Sequence, residues 1–477
     1  MKKVILPLVV FILGLSFAQG QQMTMQECVR VALNNNLTVK RSVYNVESSR
    51  VGLLSAKGNF LPTLNLLGTG SQSYGRNLNP VTYQYFQGVT RTVNPSASGG
   101  ILLYNGLRNQ YTYRQNKRNV EAADLDLEKA KNDVIITVVQ NYTNVILNKE
   151  LFENAKFQLN SSQQQLERIQ KQVAAGALPK SNELTQEATV ATNETNLITQ
   201  ENTYNLSLLQ LKQSMQLPAS TPVEIVVPDI TMEDLSINQT PEEIYDISTK
   251  TLPQVRSAMM KVEAAHLAVK SARAAYQPRL SFNYSAASNY NSASDKARYT
   301  IDPSAPKVPQ TIGYVNGDPA QPVTTLVSVP VQVSDSYHVT NQISDNIYKS
   351  IGLSLSIPIL NGFQTRTSVQ QAVINRELAE ITVKETENTL RQAIETAYNN
   401  ANAAAKTYTA ALKQVSANEE AFRMTQQRHQ IGAATYIEYQ VASNDLFSAK
   451  SGLARAKYNF ILTKKILEFY QGKTIEY

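Results

Sequence analysis

Tryptophan is absent from this chain, cysteine occurs once, at Cys28, and histidine three times, at His266, His338 and His429. Each scarcity excludes something. A single cysteine rules out an internal disulfide framework. The histidines stand far apart, with no ligand spacing to one another or to Cys28, so no metal site is legible. Cys28 lies in MQECVR with no apolar lipobox before it, so it is read as a small helix residue and not as a lipid anchor or a nucleophile. No Gly-rich phosphate loop and no nucleophile elbow occurs. The chain is therefore read as a non-enzyme, with no catalytic residue, no cofactor and no metal. A formal net charge of +7 over 477 residues is mild and gives no reason to expect nucleic acid as a partner. Past the N-terminus no apolar run approaches the ~18 residues of a spanning helix. That excludes helical spans but not a β-barrel, whose alternating strands of about ten residues escape hydropathy.

The N-terminus does carry an apolar run. Lys2 and Lys3 precede Val4–Phe17, and small residues follow, Ser16 and Ala18 or Ala18 and Gly20. This pattern predicts a cleaved secretory signal peptide over residues 1–20, and hence an exported protein.

The mature chain repeats itself. GGILLYNGLRNQYTYRQ, from Gly99, matches LSIPILNGFQTRTSVQQ, from Leu355. The interval between Asn105-Gly106 and Asn361-Gly362 is the interval between Gly176 and Gly432. Earlier, AKGNFLPTLNLLG, from Ala56, matches ARAAYQPRLSFNY, from Ala272, at a shorter interval. The second copy thus carries an insertion between its proline and its Asn-Gly pair. We read two copies of one unit, 24–217 and 241–472, joined by a Pro-rich segment 218–240 in which VEIVV has strand character, with a tail 473–477.

Each copy has one layout. A helix of about 35 residues runs up to a proline, Pro62 or Pro278, whose ring and missing N–H stop it. A strand hairpin follows, 61–105 or 279–361. Leu280, Phe282 and Tyr284 alternate with Ser281, Asn283 and Ser285, and Leu353 and Leu355 with Ser354 and Ser356, the signature of a sheet with one apolar and one polar face. Next comes a very long helix. Val134, Val138, Asn141 and Val145 in one copy, and Leu390, Ile394, Ala397, Ala401 and Ala404 in the other, step by three or four, as coiled coils do. Turns at 175–181 and 431–437 break the helices, QVAAGALPK in the first copy and HQIGAATYI in the second. A helix of about 35 residues then returns. The loop within 288–347 is the longest and is expected to lie outside the cell.

Four strands with one apolar face cannot close a barrel or hide their edges. Three chains pooling their strands would make a twelve-stranded transmembrane barrel, with the helices standing outside the lipid as a hollow coiled-coil cylinder. The expected fold is therefore mainly α with a small β part: a long helical barrel plus four strands per protomer completing a barrel in a trimer. A secreted or periplasmic coiled-coil adhesin or scaffold without a pore remains the alternative at this point.

The order helix, Pro, hairpin, Asn-Gly, long helix, Gly turn, helix resembles the TolC-like outer-membrane efflux proteins. The likeness is strongest in QQRHQIGAATYIEYQVASNDLFSAKSGLARAKYNFILTKKILEFYQG, where Gly432, Glu438, Ala442, Leu446, Ala449, Leu453, Ala456 and YNFIL match the family's pattern. The resemblance implies a homotrimeric outer-membrane channel-tunnel of a tripartite efflux or type I secretion system. It would be a passive duct in a Gram-negative cell with a large periplasmic part, contacting outer-membrane lipid, a periplasmic adaptor and an inner-membrane transporter. It places an adaptor-docking tip at Gly176 and Gly432, with Arg428 and Lys171 beside them. It places a periplasmic aperture at Glu438, with Asn182 in the equivalent position of the first copy and Tyr436 nearby. The Tyr, Arg and second acidic residue that hold some relatives shut correspond here to His429, Ala434 and Val441, so another contact has to hold the closed state.

Overall fold

The computed structural model describes residues 21–79, 84–227, 237–294, 298–301, 303–334 and 336–473. The signal-peptide expectation lies outside them, as do 228–236 of the linker and 474–477 of the tail.

Both copies fold into matching strings of elements. In the first, helices Met25–Asn35 and Leu37–Gly58 lead through Pro62 into antiparallel strands Thr63–Leu78 and Tyr85–Tyr104. A 67-residue helix, Arg108–Ala174, and a 35-residue return helix, Lys180–Ser214, follow. In the second, helices Pro241–Thr251 and Pro253–Arg273 lead into strands Arg279–Ala287 and Tyr348–Ser356. The 67-residue helix Gln364–Gln430 and the 35-residue helix Tyr436–Tyr470 complete it. At 1.5 Å per residue each long helix extends roughly 100 Å. No helix among the described residues is long and apolar enough to cross a membrane.

One sequence expectation needs correction. The helix before each proline is broken in two. Asn36 is extended (ψ 126°), and its Oδ1 accepts from the Thr38 N–H at 2.8 Å. A short amide side chain that captures N–H groups competes with the helical ladder and opens a new helix. In the second copy the break falls at Leu252, because Pro253 has no N–H to give and opens the next helix. The long loop carries short strands of its own. Val308–Tyr314 pairs with Pro322–Val327, Arg298–Ile301 with Pro330–Ser334, and Tyr290–Asn291 joins Thr92 and Val93 at the edge of the main sheet. Gln342, buried on the short helix Val339–Asp345, donates to the Tyr337 carbonyl at 2.7 Å and accepts from the Asn291 N–H at 3.0 Å.

The chain forms two compact units, and they do not follow the repeats. One gathers residues up to Gly52, Gln115–His266 and Ile374 onward; the other gathers Leu53–Arg114 and Leu267–Val373. In the second unit the four strands pair in the order Tyr348–Ser356, Arg279–Ala287, Tyr85–Tyr104, Thr63–Leu78, all antiparallel. The register aligns the two faces. Leu353 lies opposite Phe282, which lies opposite Ile101; Gly352 lies opposite Asn283, which lies opposite Gly100. Cross-strand partners share a face, so apolar residues predominate on one side and Ser and Asn on the other. Among the described residues both outer strands keep a free edge, and Leu66 and Ile351 are 81% and 76% exposed on them.

In the helical unit, the main core joins both ends of the chain to the first long helix. Val138, Tyr142, Val145 and Ile146 pack with Cys28, Leu211 and Ile461. Strand Gln21–Met23 pairs in parallel with Val223–Ile225, part of the VEIVV stretch. The Tyr142 hydroxyl, buried beneath them, donates to the carbonyls of Met23 and Val226. Burial pushes the Cys28 thiol up to about 12, which leaves it a neutral packing residue.

Candidate functional site: the two glycine turns

Both long helices end alike. Gly176 has φ 73° and Gly432 φ 76°. The Ala177 N–H reaches back to the Gln172 carbonyl at 2.8 Å and the Gly176 N–H to Val173 at 2.9 Å. Ala433 and Gly432 make the same pair of bonds, to Arg428 at 2.8 Å and His429 at 3.1 Å. This double bond pattern satisfies the last carbonyls of the helix and needs a left-handed residue at its pivot, which glycine supplies without penalty. A Cβ at either glycine would meet nothing within 4 Å, so backbone conformation alone selects glycine there.

The turns then diverge. In the second copy Thr435 caps the return helix. Its hydroxyl accepts from the Glu438 N–H at 3.2 Å, and the Glu438 carboxylate accepts from the Thr435 N–H at 2.7 Å. That is a capping box. The Thr435 N–H on its oxygen holds the Glu438 carboxyl below the usual carboxylate range, with Arg428 contributing least. In the first copy Pro179 and Asn182 occupy the two positions, and Pro179 gives no side-chain cap. The side chain of Glu183, nearly buried, pairs with Lys180 at 2.7 Å instead.

Tyr436, the first residue of the second return helix, reaches the first copy. Its hydroxyl donates to the Gln186 side-chain oxygen, and it stands 3.1 Å from Gln440 Oε1. Gln186 is fully buried and donates to the Ser162 carbonyl at 2.7 Å. One side chain on the first return helix thus joins that helix to the first long helix and to the second return helix. Burial pushes the Tyr436 phenol up to about 12. Sequence reading missed Gln186; nothing marks it among its polar neighbours. It also missed the polar seam below it, where Gln158, Ser162 and Gln165 are buried on the first long helix. The spacing of Gln158, Ser162 and Gln165, four and three residues apart and in step with Leu151 and Ala155, was the available signal.

His429 turns inward as well. Its Nδ1 lies 3.1 Å from the Ala434 carbonyl, and its ring stacks on Tyr439 with centroids 5.2 Å apart. Arg428 donates to the Ala433 carbonyl at 3.0 Å. Lys171, exposed, pairs with Glu167 at 2.7 Å. The structure therefore brings Glu438, Tyr436, Arg428 and Gly432 together at one turn, with Gln186 joined to them through Tyr436. Lys171, Gly176 and Asn182 belong to the other turn. Val441 is 53% exposed one turn into the return helix. Among the described residues no group of His, Cys, Asp and Glu is placed to hold a metal ion.

Comparison with known proteins bears on the fold and the family of the chain. The outer membrane protein TolC of Escherichia coli is 26% identical over 114 residues, a stretch covering 24% of this chain and 23% of TolC. The protease secretion protein PrtF of Dickeya chrysanthemi is 22% identical across 98% of this chain and 91% of that protein. The crystal structure of the outer membrane protein VceC from Vibrio cholerae shares the fold, with a TM-score of 0.73 at 14% identity over 95% of this chain and 97% of that one. The family model for outer membrane efflux proteins matches residues 28–215 and 245–472, one segment per copy, and the chain belongs to that family.

Proposed function

We infer that the protein is the outer-membrane duct of a tripartite efflux or type I secretion system, passive in itself and driven by an inner-membrane transporter. The observation that carries this reading is the four-stranded sheet. It has an apolar face with no core against it, a polar face, and a free edge on each side. Unpaired edges cannot persist in lipid, where every backbone group needs a partner. Three copies joined edge to edge satisfy them all and give a twelve-stranded barrel, apolar face to lipid and polar face to water. The homotrimer sits in the outer membrane of a Gram-negative cell, with the long helices in the periplasm.

The glycine turns then form the periplasmic tip. Small residues around Gly176 and Gly432 allow a periplasmic adaptor to approach the backbone, with Arg428 and Lys171 as cations at its edge. Glu438 contributes one carboxylate per protomer to an aperture ring, with Asn182 in the neighbouring position and Tyr436 behind it. A ring of acids favours cations and is blocked by polyvalent ones. The chain has no part in bond-making chemistry.

Fractionation and bilayer recording test the reading together. An outer-membrane band that runs as a heat-sensitive trimer and conducts in planar bilayers is expected. A soluble periplasmic protein with no conductance would overturn it in favour of a scaffold.

A further inference from the structure

The two copies carry opposite charges at equivalent positions of their tip halves. Where the first has Glu150, Glu167, Glu194 and Glu201, the second has Lys406, Arg423, Lys450 and Lys457. Some of these charges are used within the chain: Glu167 pairs with Lys171, Arg423 with Glu420, and Lys450 with Glu419. Three exposed charges near them form no ion pair among the described residues, Glu153 on the first long helix and Lys406 and Lys413 on the second.

Their placement is not random. On the first long helix the inward stripe is Leu151, Ala155, Gln158 and Ser162. Glu153, Phe157 and Asn160 lie on the opposite face, and Phe157 is 72% exposed. On the second long helix the inward stripe is Ala404, Tyr408, Ala411 and Val415. Lys406, Ala410, Lys413 and Ala417 lie opposite, all exposed. The Tyr436–Gln186 contact puts both turns at one end, so the long helices run in the same direction and levels can be counted back from Gly176 and Gly432. Glu153 then falls between Lys406 and Lys413, and Phe157 falls level with Lys413, between Ala410 and Ala417.

We propose that the outward face of the first long helix docks on the outward face of the second long helix of another copy of this chain. Phe157 is the knob, and Ala410, Lys413 and Ala417 border the hole it fills. Glu153 sits between the two lysines. The contact joins unlike faces of identical chains, so it is heterologous, the kind of contact a closed three-fold ring is built from. Opposite charges on the two copies oppose the pairing of like with like, which would otherwise be open to two helices of the same repeat. This inference rests on the homotrimer proposed above and names the surface that orders it.

Two experiments on the full chain in outer-membrane fractions test it. In a Cys28→Ala background, Asn160→Cys with Ala417→Cys is expected to give disulfide-linked dimers and trimers on mild oxidation, and neither single variant to give any. A cross-link from one variant alone would mean that like faces meet and overturn the proposal. So would an unlinked double variant while the parent still runs as a heat-sensitive trimer. A parent that forms no trimer would overturn the functional reading as well. Separately, Glu153→Lys is expected to lower the trimer fraction roughly tenfold, and Lys406→Glu with Lys413→Glu in the same chain to restore it. Failure to restore would also overturn the proposal.

Discussion

The Tyr436 hydroxyl donates to the Gln186 side chain, and Gln186 donates in turn to the Ser162 carbonyl at 2.7 Å. Three helices from both copies are held by one buried amide. Tyr436→Phe removes the donor and leaves the Gln186 oxygen unsatisfied in a buried site, which costs about 1–3 kcal/mol. We expect a looser tip, read as higher single-channel conductance. Gln186→Leu in the same chain should add little more, because the two side chains act as a unit.

The same pair sets a pH dependence. Burial raises the phenol to about 12, whereas an exposed tyrosine titrates near 10. A raised acid is neutral in both the folded and unfolded chain below about pH 10, so the clasp is constant there. It weakens as pH rises from about 10 toward 12. Conductance recorded across that range should rise in the parent and stay flat in Tyr436→Phe.

Glu438 behaves in the opposite sense. Its carboxyl is held low by the Thr435 N–H, so the capping box is intact above the ordinary carboxylate range and fades as pH falls through the lowered value. Amide protection at the start of helix Tyr436–Tyr470, corrected for the intrinsic exchange rate at each pH, should fall in acid in the parent. Glu438→Gln keeps an acceptor and should remove the pH step. The same variant should weaken block of the pore by divalent and trivalent cations; unchanged block would take Glu438 out of the aperture.

The first turn lacks a cap, and one can be added. Pro179→Thr with Asn182→Glu rebuilds the capping box of the second copy. The expected gain is about 0.5–2 kcal/mol of local stability, visible as slower amide exchange over the first turn of helix Lys180–Ser214. Thr435→Ala should cost a similar amount at the other turn.

Glycine replacements should rank by surroundings. At Gly432 an added Cβ meets nothing, so Gly432→Ala costs only the left-handed backbone, about 1–2 kcal/mol. At Gly106, φ 67°, an added Cβ would lie 2.5 Å from the Gln277 Cβ and 2.7 Å from the Ala274 carbonyl oxygen. Gly106→Ala should therefore lose far more folded protein, measured as trimer recovered from the outer membrane.

Much of this protein is legible residue by residue. Glycine at a left-handed pivot, the Pro62 and Pro278 boundaries, and the Leu-Ser alternation of the strands are local effects and read directly. The Thr435–Glu438 capping box was readable too, as a Thr followed three residues later by Glu. The helix breaks at Asn36 and Leu252 were missed because one amide side chain or one proline outweighed a helical pattern that continues on both sides. The short strands within the long loop went unread because hairpins among Gly, Pro and Asn carry little periodicity.

The sequence by itself determined the repeat, the element types and the two glycine turns, because each follows from backbone geometry within a few residues. Tertiary structure decided what those elements meet. Whether Gln186 lies in solvent or at the junction of three helices depends on the register between helices far apart in the chain. Whether the strands form two hairpins or one four-stranded sheet depends on Tyr85–Tyr104 pairing with Arg279–Ala287. Such contacts are set by packing between distant segments, and no local pattern encodes them.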